Sequence, residues 1–156
     1  MSFSIIPSKI LTTKDILKAL KCDYYAKNVI VGVLPYDFLP KHPTYPSAYV
    51  VNSEPAGKSG EHWFALYYNE LGKCSFFDSY GKHPSFFGLD KYIQRTSTSY
   101  EFNSVQIQNF MSTTCGYYCI YFVLLKSRRF ELIDIINLFD KKNFNINDFL
   151  VRNILQ

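Results

Sequence analysis

The sequence predicts an α+β domain, a central mixed or antiparallel sheet flanked by helices, and three observations carry that expectation. Runs rich in β-branched and aromatic residues fill the middle of the chain, helical periodicity opens and closes it, and Pro, Gly and Asn punctuate the breaks. With 156 residues and 47% hydrophobic content the chain can bury one proper core, so residues 1–156 are read as a single domain.

The elements follow in order. TTKDILKALK, from Thr12, sets hydroxyl caps ahead of Ile16, Leu17 and Leu20 at helical spacing, which predicts a short helix. A strand from Val29 to Leu34 then runs into a loop carrying Pro35, Pro40, Pro43 and Pro46, which no regular helix accepts. SAYVVN, HWFALYYN and KCSFFDSY read as three further strands, the last two joined by Glu70, Leu71 and Gly72 as a hairpin, and the set as a mostly antiparallel sheet. SFFGLDKYIQRTSTSY reads as an amphipathic helix outside the sheet, and EFNSVQIQ as a returning strand offering Phe102, Val105 and Ile107 for packing. Three helical runs finish the chain near Cys115, Glu131 and Asn147. The last puts Ile146, Phe149, Leu150 and Ile154 on one stripe.

Composition narrows the classes of function. MSFSIIPSKILTTKD lacks the long apolar stretch of a secretory signal, and no segment reaches the roughly 18 apolar residues that span a membrane, so an intracellular setting without a membrane partner is expected. Cys22, Cys74, Cys115 and Cys119 are accordingly expected as thiols. The net charge of +4 is modest, and its clusters, Lys126 with Arg128 and Arg129 and Lys141 with Lys142, are ordinarily solvated helix faces.

The chemistry starts from MSTTCGYYCIYF, residues 111–122, where small hydroxyl residues lead into Cys115 at the start of an apolar run. A thiol at a helix start is favoured as thiolate by the unpaired N–H groups there. His62 opens HWFALYY, where a plain strand prefers an apolar residue, and imidazole exchanges a proton near neutrality. Alone it is as well explained as a polar residue at a strand edge. Asp78 ends the partner strand in FFDSYG, beside His62 if the hairpin is tight; alone it reads as a turn-starter before Ser79 and Gly81. Gln108, seven residues before Cys115, is placed to donate to an oxyanion together with the Cys115 N–H, and Gln106 competes for that role. Cys119, one turn after Cys115, reads as a buried thiol. A zinc site from these two cysteines and a histidine lacks paired ligands elsewhere, so no metal is expected. His42 and His83 are read as loop residues, each beside a proline.

Taken together, EHWFALYY, CSFFDSYG and QNFMSTTCGYYC in that order resemble the adenovirus-type cysteine proteases, the adenain family, with its relatives in virophages and virus-like DNA transposons. The resemblance runs from about Thr13 to Phe122 and includes KALKCDYYAKNVIVGVLPYDFLP, similar to the family's opening helix, Cys-containing turn, strand and Pro-bounded loop. The order His, acid, Gln, Cys is that of the clan shared with SUMO-deconjugating proteases and the reverse of papain's. It implies a cysteine endopeptidase fold with Cys115 as nucleophile, His62 as general base and acid, Asp78 as orienting carboxylate, Gln108 as oxyanion donor and Trp63 walling the cleft. It further implies a monomer that processes capsid or other precursor proteins of a virus or virus-like element, after small residues such as Gly, in the virion or the host nucleus or cytoplasm.

The resemblance also implies partners. No cofactor is required by the sequence itself, but DNA or a peptide activator, and sequence-independent DNA binding through Lys126, Arg128, Arg129, Lys141, Lys142 and the lysines from Lys9 to Lys27, are expected by analogy. Two departures stand out. The third member is Asp rather than adenain's Glu, the form common in the SUMO branch, and no cysteine between Cys74 and Cys115 matches the disulfide tether of the adenovirus activating peptide. Deconjugation of SUMO or another ubiquitin-like modifier, and a non-catalytic module holding a substrate tail or a nucleic acid, are the alternative readings.

Overall fold

The computed structural model describes residues 10–57 and 62–154. Lys9, Glu61 and most of the N-terminal segment read for a leader lie outside the described residues. Among the described residues, no helix is long and apolar enough to cross a membrane.

Helix α1, Thr13–Cys22, begins as the sequence expects: the Thr12 hydroxyl accepts from the Asp15 N–H at 3.2 Å while the Asp15 carboxylate accepts from the Thr12 N–H at 2.9 Å. This reciprocal box satisfies two otherwise orphaned donors and fixes the face that buries Ile16 and Leu20.

A five-stranded sheet follows in the order β1-β2-β3-β4-β5, with β1 at Ile30–Pro35, β2 at Ser47–Asn52, β3 at Trp63–Tyr68, β4 at Lys73–Phe77 and β5 at Ser99–Phe102. The sheet is mixed and not mostly antiparallel: β2/β3 and β3/β4 run antiparallel, whereas both outer pairs are parallel. The connections explain the difference. The short connection 69–72 between β3 and β4 can join only antiparallel neighbours, while the long proline loop after β1, and the segment carrying helix α2 (Asp90–Thr96) after β4, leave room to cross over.

Both faces of the sheet are covered, and so β2 and β3 are buried along their whole length. One face presents Ala48, Val50, Ala65 and Phe77 to α1 and to α3, Cys115–Ser127, with Phe77 stacked on Phe122 at 4.8 Å. The other packs Tyr49, Phe64, Leu66 and Phe76 under Leu89 and Ile93 beside α2. Helix α3 is apolar nearly all round because it lies between the sheet and the flanking helices.

Three local expectations need correction. The single helix expected over residues 85–100 is a 3-10 turn, Pro84–Phe87, then Gly88 in the left-handed region, then the short α2; Gly88 tolerates that conformation and ends the first turn. The returning strand stops at Phe102, and residues 103–114 form an irregular loop in which Val105 is half-exposed and Ile107 buried. Of the apolar stripe expected on the last helix, α5 (Phe144–Asn153), only Leu150 packs against the core. Ile146 and Phe149 are exposed, while Asn147, Asp148 and Val151 point inward.

The polar face of α5 is inward because the loop before Cys115 lacks a strand partner and its backbone needs one. Asn147 donates to the carbonyls of Ile107 at 2.8 Å and Asp140 at 2.7 Å, and accepts from the Asp140 N–H at 2.8 Å. Each buried group left unpaired by Asn147→Ala is expected to cost about 1–3 kcal/mol, read as a lower urea midpoint. The exposed Phe149 is expected to tolerate Phe149→Ser within about 0.5 kcal/mol; the opposite ranking would restore the apolar stripe.

Candidate active site

Two antiparallel strands and one helix start converge at the candidate site. The register that pairs Ala65 with Phe77 carries Asp78, just past the end of β4, beside the entry to β3, where His62 sits. There His62 Nε2 meets Asp78 Oδ1, with both residues buried. Asp78 is anchored on every side. Its N–H donates to Asn103 Oδ1 at 3.0 Å, its carbonyl accepts from Asn103 Nδ2 at 2.7 Å, and its Oδ2 accepts from the Lys82 N–H at 3.0 Å. Asn103 thereby does for Asp78 what a neighbouring strand would do.

The other ring nitrogen of His62, Nδ1, is buried with no aligned hydrogen-bond partner. Cys115 lies near enough to act on the charge of the ring, and Nε2 is already engaged, so Nδ1 is the nitrogen left for the thiol. Burial, the largest single influence, disfavours the charged imidazole. Hydrogen bonding to Asp78, then the influence of Cys115 and the charges of both, outweigh it, and the ring is raised to about 9. Tyr80 stacks on the ring at 4.2 Å and 13°, and Phe87 lies nearly parallel at 5.9 Å.

Cys115 is the first residue of α3 and is buried, with its surface in a cleft. Thr114, at the cap position, makes no cap hydrogen bond; its hydroxyl donates instead to Asp148 at 3.0 Å. The helix start therefore presents N–H groups without a side-chain cap, a natural site for negative charge. Gly116, next in the helix, lies against α1: a Cβ there would come within 3.2 Å of Ile16 and 3.4 Å of Leu11.

Gln108 is fully buried in the loop before α3. Its Oε1 accepts from the Ser79 hydroxyl at 2.5 Å and its Nε2 donates to the Ser112 carbonyl at 3.1 Å, so one amide N–H remains to give. Ser79 thus sets which way the amide faces. Gln106 turns its amide back onto the Gln108 carbonyl at 2.9 Å, so of the two competitors it supports the loop. The turn after Asp78 binds this loop from the other side: the Ser79 carbonyl accepts from the N–H groups of Ile107 and Gln108 at 2.9 and 3.1 Å. Gly81 has φ +75°, and a Cβ on it would strike the Val105–Gln106 backbone at 2.7 Å.

Two clefts flank the pair. One of 330 Å³ includes Leu11, Trp63, Met111, Cys115 and Gly116; the other, of 870 Å³, includes Tyr36, Glu54, His62, Lys82, Phe86 and Phe87. Tyr80 and Phe110 belong to both and stand between them.

The remaining cysteines are unlike Cys115. Burial pushes the Cys119 thiol well above its ordinary range and the Cys74 thiol up to about 12, so both are neutral at pH 7, and Cys22 is exposed. Among the described residues no group of three or more His, Cys, Asp or Glu is placed to hold a metal ion. His42 lies in the proline loop, and His83 caps the 3-10 turn and packs on Phe102.

Four of the basic residues have structural partners. Arg128 pairs with both oxygens of Asp23 at 2.6 and 3.0 Å and covers Tyr25. Lys126 is buried with its ammonium over Tyr67, and burial holds it below the usual lysine range. Arg129 lies 3.7 Å from Glu70, and Lys141 caps the carbonyls of Ile136 and Phe139.

Sequence reasoning missed Ser79, Tyr80, Asn103, Asn147 and Asp148. Asp148 accepts from Ser112, Thr114 and Tyr118 at 2.8, 3.0 and 2.7 Å, tying the approach to Cys115 onto α5. The nearest signal was DSYG, read only as a turn.

The raised His62 gives a pH dependence with a definite sign. Its folded value of about 9 exceeds the 6.5 of an unperturbed ring, so its contribution to stability is fully present below pH 6.5 and is lost as pH rises through about 9. Urea midpoints are expected to fall across that window. In Cys115→Ala the ring loses both influences of the thiol and is expected to titrate lower, measurable by imidazole ¹⁵N shifts; an unchanged value would separate the two residues.

No family model matches the chain, and no curated protein matches it. Among solved structures it is similar to the ASFV pS273R protease, at 16% identity and a TM-score of 0.47 over 62% of this chain. The chain spans only 40% of that protein's length. It is also similar to the central domain of the uncharacterized Lpg1148 protein from Legionella pneumophila, at 17% identity and a TM-score of 0.47 over 81% of this chain and 83% of that one. At that distance neither neighbour passes an activity to this chain.

Proposed function

We propose that the chain is a cysteine endopeptidase in which Cys115 is the nucleophile, His62 the general base and acid, Asp78 its orienting carboxylate and Gln108 an oxyanion donor. The observation that carries this reading is the ring of His62, bonded through one nitrogen to a buried carboxylate while the other is left to the thiol at a helix start. The same residues stand in the order of the resembling family. Substrates on this reading are precursor proteins of a virus or virus-like element, cut after small residues such as Gly, as the resemblance implies.

Each group has one part in the chemistry. The Cys115 thiolate attacks the scissile carbonyl carbon, forming the C–S bond, and the carbonyl oxygen takes the negative charge. The Cys115 N–H and the spare N–H of Gln108 receive that charge. As the C–N bond breaks, the proton on His62 Nδ1 goes to the leaving amine, and the acyl group stays as a thioester. Water then attacks the thioester carbon, gives its proton to Nδ1, and the thiolate leaves. Throughout, Asp78 holds Nε2 and balances the charge on the ring.

Kinetics test the assignment. Cys115→Ala is expected to abolish peptide hydrolysis without unfolding the protein, and turnover in that variant would overturn the proposal. His62→Ala is expected to be about as damaging, with the double variant no worse than either, because members of one catalytic unit are not additive. Asp78→Asn should cost less than loss of the nucleophile. Gln108→Ala should cost about 2.7–4 kcal/mol in kcat if its amide meets the oxyanion, and a larger effect of Gln106→Ala would move that role.

A further inference from the structure

A thiol and an imidazole acting in sequence fix the direction in which a peptide lies. The acyl half ends on the sulfur, whereas the amine half takes its proton from the ring, so residues after the scissile bond leave along the imidazole side. The clefts divide in the same way. The 330 Å³ cleft contains Cys115 and not His62, and the 870 Å³ cleft contains His62 and not Cys115, with Tyr80 and Phe110 between them.

The larger cleft has a definite chemistry. Tyr36, Tyr80, Phe86, Phe87 and Phe110 line it with aromatic faces, and Phe86 and Phe110 are 68% and 55% exposed. Rings of this size each bury about 150–250 Å² when covered, so their exposure beside reacting groups leaves much apolar surface for a ligand to cover. Among the described residues, Glu54 and Lys82 are opposite in sign and the charge of the His62 ring is already met by Asp78, so the cleft offers no net attraction to a charged side chain. The Lys82 ammonium lies 5.2 Å from the Phe86 ring and 5.5 Å from the Phe110 ring and forms no ion pair among the described residues. It braces two walls of the cleft.

We propose that this cleft is the leaving-side substrate subsite and that it selects peptides with a bulky apolar or aromatic residue directly after the scissile bond. The inference rests on Cys115 and His62 being the reacting pair. Because His62 itself forms part of the wall, the first residue beyond the cut bond is the one whose side chain enters.

The test is a peptide series built on the acyl half of the first sequence cleaved from a randomised library, with Phe, Leu, Gly or Asp after the scissile bond. Phe and Leu are expected to exceed Gly in kcat/KM by about tenfold or more, the scale of hydrophobic-pocket discrimination, and Asp to rank below Gly. Phe86→Ala and, from another wall, Tyr36→Ala are expected to bring Phe and Gly together. The thioester gives a second reading. Phenylalaninamide added to the reaction should capture more acyl group than glycinamide, the amine nitrogen bonding the acyl carbon as the C–S bond breaks and its proton passes to His62. Equal kcat/KM along the series, or a preference unmoved in both variants, overturns the subsite while leaving the protease standing. No cleavage of any peptide with Cys115 intact overturns the protease and the subsite together.

Discussion

The buried contact between His62 and Asp78 is the constraint on which the rest of the site depends. An imidazole and a carboxylate removed from water are costly unless every lone pair and proton finds a partner, and a broken pair leaves an uncompensated charge inside. Here Asp78 has four further anchors, two from Asn103 and one each from the N–H groups of Lys82 and Gly81. Those anchors fix where β4 ends and what the chain does next. The turn through Gly81 lies against the Val105–Gln106 backbone so closely that only a residue without Cβ fits.

That turn is one wall of a holder for an irregular loop. Residues 103–114 have no strand to pair with, yet Ile107 and Gln108 are buried, so a turn on one side and side chains on the other hold the loop. The Ser79 carbonyl takes two N–H groups on one side, and Asn147 and Asp148 of α5 take a carbonyl and two hydroxyls on the other. The result positions two groups at once. Gln108 is oriented through Ser79 and Ser112, and the start of α3 is drawn away from self-capping because Thr114 is committed to Asp148. A site built on such a loop is as rigid as its supports, and α5 is one of them.

How far the sequence revealed this follows the range of each interaction. Helix α1, strands β1 to β4 and the start of α3 were legible because caps, alternation and turn residues act within a few positions. His62, Asp78 and Cys115 stood out as polar side chains at the ends of apolar runs, and Gln108 by its spacing from Cys115. The inward face of α5 was not. Amphipathic reasoning assumes that the core side of a helix is apolar, and α5 instead serves a loop about forty residues earlier that needs hydrogen bonds. The parallel pairing of β5 was hidden for a similar reason, since the pattern of SYEF does not tell which way a strand enters a sheet.

The abundance of aromatic residues acquires a local meaning at His62. A protonated ring in a buried position suffers from lost hydration, and its charge must be met at its edges and over its faces. Asp78 and Cys115 act at the edge. The faces belong to aromatic carbon, Tyr80 stacked at 4.2 Å and Phe87 nearly parallel at 5.9 Å, whose π-clouds attract a cation and exclude the water that would screen the edge contacts. Tyr80 itself stays neutral, its hydroxyl pushed up to about 12 by burial first and then by the charges of Cys115, Asp78 and Asp148. One ring therefore supports the imidazole and, in contact with Phe110 at 5.0 Å, divides the cleft that contains Cys115 from the cleft that contains His62. On the proposed mechanism, the group that stabilises the proton donor also sets where the two halves of a peptide part.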